Sequence, residues 1–362
     1  MNEKLNPFHI AILIHVVQVG VTVFSLPRLC AVHYGTNGWI WIVIIGIAVT
    51  ANIALIHAAV KMGGGRPLPE MLGLFLPKPV SGILQLAIGC MYALSACLTS
   101  KQYVLMFELQ SFPATNPYVF RAGIDVLILC LVVIGIYNLG KAATIVFFAT
   151  IPLPFFYLSL LHDVKLVRYT PFFLKDGGHW VEGFFQVFAA FLGFELCLFL
   201  VPYVQRGDTR WFYAVYAGNT FSWFIYLALT VLAFGFFSFG QLKDLLFPLL
   251  EMAGHLTLPV VERVDTLMFT FFFLMAVMTA TAYFWMATEL VTYVFPNIRK
   301  GWVAAFLIAS TYFVSSIPNE LSRVSAWLQL MAKLAIGTSF LLPVLLLIGM
   351  LAARALGRVK AP

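Results

Sequence analysis

Long apolar runs, separated by short stretches rich in proline, glycine and charge, dominate the pattern along the chain. A helix needs about 20 mostly apolar residues to cross a bilayer, and the sequence contains ten such runs with nothing of domain size between them. The predicted spans are residues 8–33, 38–60, 79–105, 119–137, 142–160, 181–204, 211–238, 265–293, 302–317 and 325–353. The pattern predicts an all-α polytopic membrane protein in which residues 1–362 form a single integral membrane domain.

The composition supports this fold class and excludes others. Of the 362 residues, 62% are hydrophobic and only 10% are charged, too few to solvate the surface of a soluble protein. The net charge of +7 comes from basic residues scattered through short loops, so the sequence does not predict nucleic-acid binding. Lys and Arg are slightly more numerous on the side of the termini, which favours cytoplasmic termini. The sequence contains no nucleotide-binding motif, catalytic triad or metal-ligand cluster, so we expect no enzyme activity, cofactor or metal.

The first and sixth spans share an unusual feature. Gly20 and Gly193 lie 173 residues apart, each in mid-span with polar side chains nearby and a proline beyond. Each span begins a set of five, and because five is odd, the second set must enter the membrane from the opposite side. A single glycine here is more often a packing residue, but the paired placement predicts inverted repeats, about 8–160 and 181–353, with broken first helices.

A small-molecule site near the bilayer midplane follows from such breaks. Backbone groups freed inside a membrane are tolerated only where they line a cavity or meet a ligand. Freed amides favour an anion and freed carbonyls favour a cation. A small zwitterion such as an amino acid satisfies both.

Two motifs at these breaks carry a resemblance to a known family. They are Phe24-Ser25-Leu26-Pro27-Arg28 in the first span and Phe191-Leu192-Gly193-Phe194-Glu195, followed by Phe199-Leu200-Val201-Pro202, in the sixth. With the chain length and the ten spans, they resemble the B subunit of the endospore nutrient-germinant receptor, in the amino acid–polyamine–organocation superfamily. The resemblance implies a leucine-transporter-like fold in the spore inner membrane. It also implies that the protein senses a small germinant, often an amino acid, with an A subunit and a lipoprotein C subunit as partners.

The resemblance further implies that spans 1, 3, 6 and 8 surround the breaks. The glycines would expose backbone, the hydroxyls would offer hydrogen bonds and the apolar side chains would form a wall. For each hydroxyl, a bond back to its own helix or a helix-packing role is an equally open alternative. The candidate ligand-binding residues are Gly20, Thr22, Ser25, Tyr92, Ser95, Thr99, Phe191, Leu192, Gly193, Glu195, Thr279, Thr281 and Tyr283.

Intramembrane charges are costly and therefore informative. Glu195 has three candidate roles: accepting hydrogen bonds from freed backbone amides, carrying a proton, or meeting the ammonium of a ligand. For Lys333 we favour snorkelling of the side chain to the interface. Asp125 follows Arg121 by four residues, which predicts an interfacial ion pair.

The connection at 239–264 has leucines at three- and four-residue steps, which predicts an amphipathic helix at the membrane surface. In related folds, such a segment covers the extracytoplasmic entrance as a lid.

Three function classes fit these observations: a ligand-sensing receptor subunit, a secondary transporter of the same superfamily, and a structural partner with a vestigial site. The fold is shared by sensors and transporters, so sequence alone separates them poorly.

Overall fold

The computed structural model describes residues 4–110, 116–169, 174–204, 209–256 and 264–355, and all regular structure in these ranges is helical. The α-helices are α1 (Pro7–Gln18), α2 (Leu26–Tyr34), α3 (Ile40–Met62), α4 (Leu68–Phe75), α5 (Lys78–Gln110), α6 (Pro117–Ile134), α7 (Ile136–Thr150), α8 (Leu153–Phe156), α9 (Trp180–Ala189), α10 (Cys197–Leu200), α11 (Phe212–Phe236), α12 (Phe239–Asp244), α13 (Pro248–Gly254), α14 (Val264–Val294), α15 (Lys300–Val314) and α16 (Leu321–Ala355). Short 3-10 segments are Val21–Ser25, Tyr157–Asp163, Leu166–Tyr169, Phe194–Leu196 and Val201–Tyr203.

The described ranges contain seven spans that are long and apolar enough to cross a bilayer, and two further spans are bent pairs of helices. The predicted span at 302–317 corresponds to α15, which has 15 residues. At 1.5 Å per residue it is about 22 Å long, shorter than a hydrocarbon core of about 30 Å. The structure thus supports up to nine spans by length, and the count of ten stays a prediction.

Both predicted helix breaks are confirmed. In the first span, α1 ends at Gln18, Gly20 is extended, and the helix resumes at Val21 with a bend of 53°. In the sixth span, α9 ends at Ala189 and the chain resumes at Phe194 with a bend of 56°. Gly193 has a φ of +122°, a conformation that is costly for any residue with a side chain. The second break therefore requires its glycine.

The surface of the bundle is apolar where helices have no neighbour. In α15, Trp302, Phe306 and Phe313 are 71%, 71% and 72% exposed. A contiguous apolar surface of this kind is unstable in water and suited to lipid. The protein is therefore a multi-pass membrane protein, as its composition predicts.

The connection between α11 and α14 differs from the predicted amphipathic helix. It forms two short helices, α12 and α13, because Pro248 has no amide proton to continue a helix through this point. The Ser238 hydroxyl caps α12 in a reciprocal contact with Gln241. Leu242 and Leu249 are buried, so the segment packs on the bundle. Residues 257–263 of the predicted helix lie outside the described ranges.

Arg121 and Asp125, expected to form an interfacial ion pair, belong instead to a buried polar cluster at the end of α15. Arg121 and Asp125 are only 4% and 6% exposed, with 3.7 Å between Arg121 Nε and Asp125 Oδ2. Arg121 also donates to the Ser315 hydroxyl, and the Lys101 ammonium donates to the Ser315 carbonyl. Ser315 is the C-cap of α15. The two cations thus meet the negative end of the helix dipole, which explains why they are tolerated inside the bundle.

Replacing Arg121 by Leu should destabilise the fold by about 3–5 kcal/mol, because Asp125 would remain buried without its partner. The measurement is thermal unfolding of the purified protein in detergent. Arg323→Leu is the matched control, since the Arg323–Glu320 pair is 70% exposed on both sides and should contribute almost nothing. Equal unfolding temperatures for the two variants would contradict the capping role of the cluster.

Candidate functional site

A cavity of about 540 Å³ lies at the break of the first span. Its walls come from both halves of that span, from α5, α9 and α14, from the chain between α12 and α13, and from the first half of α16. The predicted site residues that line it are Gly20, Thr22, Ser25, Ser95, Thr99, Leu192, Thr279 and Tyr283. The break therefore opens onto a space large enough for a small molecule.

The other predicted site residues lie behind this lining. Thr281 is fully buried and its hydroxyl donates to its own helix at the Val277 carbonyl, 2.7 Å away. The Phe191 ring packs edge-on against Tyr226 with 5.0 Å between ring centroids, away from the cavity. The ring of Tyr92 packs against the rings of Phe199 and Tyr283, with 6.0 and 5.6 Å between ring centroids. A role for these side chains in ligand binding stays a prediction.

Gly193 and Glu195 also lie behind the lining, and together they close the second break. Glu195 is 2% exposed, and its Oε2 accepts a hydrogen bond of 2.7 Å from the Gly193 amide. Its Oε1 accepts a hydrogen bond of 2.7 Å from the Tyr283 hydroxyl. The carboxylate thus satisfies one freed amide and links the second break to α14. This is the contact that the backbone-capping role requires.

Hydroxyl groups in the lining present acceptor oxygens to the cavity. Ser25, Ser95 and Thr99 each donate their proton to a carbonyl of their own helix, over 3.1, 2.8 and 2.9 Å. The Thr279 hydroxyl contacts its own helix at Met275 and also the Val17 carbonyl of α1, each at 3.0 Å. Because the protons are engaged, the oxygens retain lone pairs for a donor group such as an ammonium.

Gln18, which sequence reasoning missed, is the residue that joins the two breaks. Its Nε2 donates to the Phe191 carbonyl at 2.9 Å and to Asn219 Oδ1 at 3.0 Å. The Tyr226 hydroxyl lies 2.8 Å from the carbonyl oxygens of both Gln18 and Ala190. The hydroxyl proton of Tyr226 is thus shared between a carbonyl at the end of α1 and a carbonyl at the end of α9. An amide side chain two residues before Gly20, inside an apolar span, was the available signal.

Gln18 also lines the cavity and has an unused acceptor. The residue is 3% exposed, and its Oε1 has no hydrogen-bond partner among the described residues. A buried acceptor without a donor is costly unless something else supplies one. The unpaired acceptor thus lies buried in the wall of the cavity, at the first break.

Two cations line the cavity as well. Arg28 donates through Nε to the Lys243 carbonyl, 3.0 Å away. Lys333 lines the cavity from α16, whereas the sequence favoured a side chain that snorkels to the interface. The described lining residues include no aspartate or glutamate.

Comparison with known sequences places the chain in a family. A family model described as spore germination protein matches residues 4–324. The chain belongs to the spore germination protein family. Spore germination protein GerQB of Bacillus cereus is 25% identical over 270 residues, covering 72% of each chain. Spore germination protein B2 of Bacillus subtilis (strain 168) is 24% identical over 344 residues, covering 89% of each chain.

Solved structures show which fold this member of the spore germination protein family has. Mhp1, a nucleobase-cation-symport-1 family transporter in a closed conformation with bromovinylhydantoin bound, superposes with a TM-score of 0.69 at 12% identity over 95% of this chain and 78% of Mhp1. MhsT in complex with L-phenylalanine gives a TM-score of 0.67 at 11% identity over 97% of this chain and 92% of MhsT. The fold is leucine-transporter-like, as predicted. Family and fold together indicate a germination-receptor subunit or transporter-like membrane protein, and not an enzyme.

The contacts of Glu195 generate a prediction about two substitutions. In Glu195→Gln, the amide oxygen can accept from Gly193 while its NH₂ donates to the Tyr283 hydroxyl, so both contacts survive. In Glu195→Ala, the amide and the hydroxyl lose their acceptor, at a cost of about 1–3 kcal/mol for each buried group. We expect Gln to be mild and Ala severe, measured as protein level and unfolding temperature in membranes or detergent.

Ligand response over a range of pH separates capping from proton transfer. If Glu195 carries a proton during function, Gln abolishes the response as completely as Ala while the protein level stays normal. That result would overturn the capping role. Tyr283→Phe is the control for losing the α14 contact alone.

Proposed function

We propose that this protein is the germinant-sensing membrane subunit of a spore nutrient receptor, and that it binds a small molecule such as an amino acid in the mid-membrane cavity to trigger germination. The observation that carries the proposal is the cavity itself, which opens at the first helix break and is lined by polar groups from several spans. Membership of the spore germination protein family supplies the biological setting. The L-phenylalanine bound to MhsT shows that this fold accommodates an amino acid.

The two charged groups of an amino acid have matching partners at the break. The helical segment that begins at Val21 leaves its first amides without partners in the helix, and Val21 and Thr22 line the cavity. These amides and the helix dipole suit the carboxylate. The hydroxyl oxygens of Ser95 and Thr279 suit the ammonium, and the unpaired Oε1 of Gln18 lies buried in the same wall. The ligand is thus bound without an acidic side chain.

The remaining parts of the proposal come from the family resemblance, which supplies the partners and the membrane, and from the sequence pattern, which supplies the orientation and the repeats. The partners are a receptor A subunit and a lipoprotein C subunit, and the site of action is the spore inner membrane with both termini in the cytoplasm. The whole chain acts as one membrane domain with repeats at about 8–160 and 181–353. The lipid bilayer surrounds it, and nucleic acid has no role.

A secondary amino-acid transporter is the second candidate, because Mhp1 has the same fold and belongs to a transporter family. The third class, a structural partner with a vestigial site, fits poorly with a cavity that retains an unpaired buried acceptor at the break. A sensor needs only a difference in ligand affinity between two conformations, and no net movement across the membrane.

Measurements of ligand binding and of ligand uptake distinguish a sensor from a transporter. We expect saturable binding of an amino acid to purified protein, without concentrative uptake into proteoliposomes under a sodium or proton gradient. A proteoliposome sample with a known amino-acid transporter is the positive control. Accumulation of radiolabelled ligand above the external concentration would replace the receptor proposal with the transporter.

Gly20→Leu tests whether the cavity binds the ligand. A Cβ at Gly20 would meet only Gln18 O, at 4.0 Å, so the side chain would fill the cavity without straining the backbone. Ligand affinity should fall about tenfold or more, while the unfolding temperature changes little. Gly73→Leu, on an exposed position of α4 where a Cβ meets no atom within 4 Å, is the matched control. Normal ligand response in Gly20→Leu would place the ligand elsewhere.

Gly193→Leu is a different experiment. The φ of Gly193 is +122°, and a Cβ added to this residue would lie 2.9 Å from Val17 Cγ1, so any side chain there disturbs the fold. Loss of response in this variant therefore reports stability, and it does not test the cavity.

A further inference from the structure

Lys333 occupies a position that a lysine rarely occupies in a membrane protein. It lies twelve residues after Leu321, the first residue of α16, which is about 18 Å along the helix axis. The predicted span begins at residue 325, so Lys333 lies about 12 Å inside the span. A charged group inside a span is costly and usually faces a cavity or a partner. Lys333 is exposed and lines the cavity at the first break.

The ammonium of Lys333 is not neutralised by any residue that the structure describes. Within the described chain, Lys333 has no ion pair and no hydrogen bond, and the described lining of the cavity contains no carboxylate. The second cation of the lining, Arg28, is held in place by its bond to the Lys243 carbonyl. The described lining thus has two positive charges and no negative charge, and it attracts anions.

The amides at Val21 and Thr22 provide a place for one anionic group, and they belong to the first span. Lys333 belongs to α16, a separate wall of the same cavity, where Ser325 and Gln329 add polar groups. A ligand with a single carboxylate at the helix break leaves the Lys333 ammonium unpaired. A ligand with a second anionic group pairs one anion with the amides of the first span and the other with the Lys333 ammonium.

We infer that the ligand of this protein carries a distal anionic group, such as the side-chain carboxylate of an acidic amino acid, and that Lys333 binds this group. The inference rests on the proposed function for the location of the site, and it adds the charge class of the ligand. Arg28 contributes to the positive potential, and Ser325 and Gln329 offer hydrogen bonds to the same group. A hydrogen-bonded ion pair discriminates against a neutral amide of the same shape.

The test compares acids with their amides on the purified full-length protein. Equilibrium binding is measured for L-glutamate and L-aspartate, for L-glutamine and L-asparagine, and for glutarate, which has two carboxylates and no ammonium. We expect the acids to bind about tenfold or more tightly than the amides. Lys333→Gln should remove this preference at an unchanged unfolding temperature, and Lys333→Arg should retain it.

Lys141→Gln is the matched control, because it removes one positive charge at an exposed position where the ammonium lies over the Tyr137 ring, far along the chain from the cavity lining. Equal affinity for acids and amides, or the same acid preference in wild type and Lys333→Gln, overturns the inference and leaves the proposed site standing. Binding of glutarate in a Lys333-dependent manner, without binding of any amino acid, keeps the inference and overturns the amino-acid proposal. Absence of binding by every compound overturns both.

Discussion

Backbone polar groups freed at two helix breaks inside a bilayer must find partners, and the centre of this protein is organised by that requirement. At the second break the Glu195 carboxylate accepts from the Gly193 amide. The Gln18 side chain donates to the Phe191 carbonyl at the second break, and the Tyr226 hydroxyl contacts one carbonyl at each break. Each of these three buried side chains has a backbone partner, and so the breaks are stable enough to persist.

Groups without a partner in the described structure gather around one cavity. Its lining includes Gln18, whose buried Oε1 is unpaired, the first residues after Gly20, and Lys333. They include an acceptor, donors and a cation, which together suit a small molecule with both charge types. Gln18 also connects the cavity lining to the rest of the bundle, because its side chain donates to the Phe191 carbonyl, just beyond α9, and to Asn219 of α11. The cavity lining is thus bonded to both broken spans.

Away from the breaks, buried charge has a structural role. Lys101 and Arg121 donate hydrogen bonds to Ser315 at the end of α15, and the negative charge of Asp125 offsets part of their positive charge. This cluster terminates a helix that is shorter than the hydrocarbon core and leads into α16. These buried charges complete a helix end, whereas Lys333 faces the site. The two cases differ in burial and in neighbours, because Lys101 and Arg121 are buried against Ser315 whereas Lys333 is exposed.

The sequence by itself determined the fold class, the two breaks and many of the lining residues. Apolar run length is a local property fixed by bilayer thickness, and the pairing of Gly20 with Gly193 follows from chain order. The tertiary structure decided what a local pattern does not contain. It determined which group each side chain bonds to, and how far away along the chain that partner lies. Thr281 turns to its own helix, while Gln18 meets Phe191 from 173 residues away. Arg121 and Asp125 are buried for the same reason, because Lys101 and Ser315 come to them from other helices.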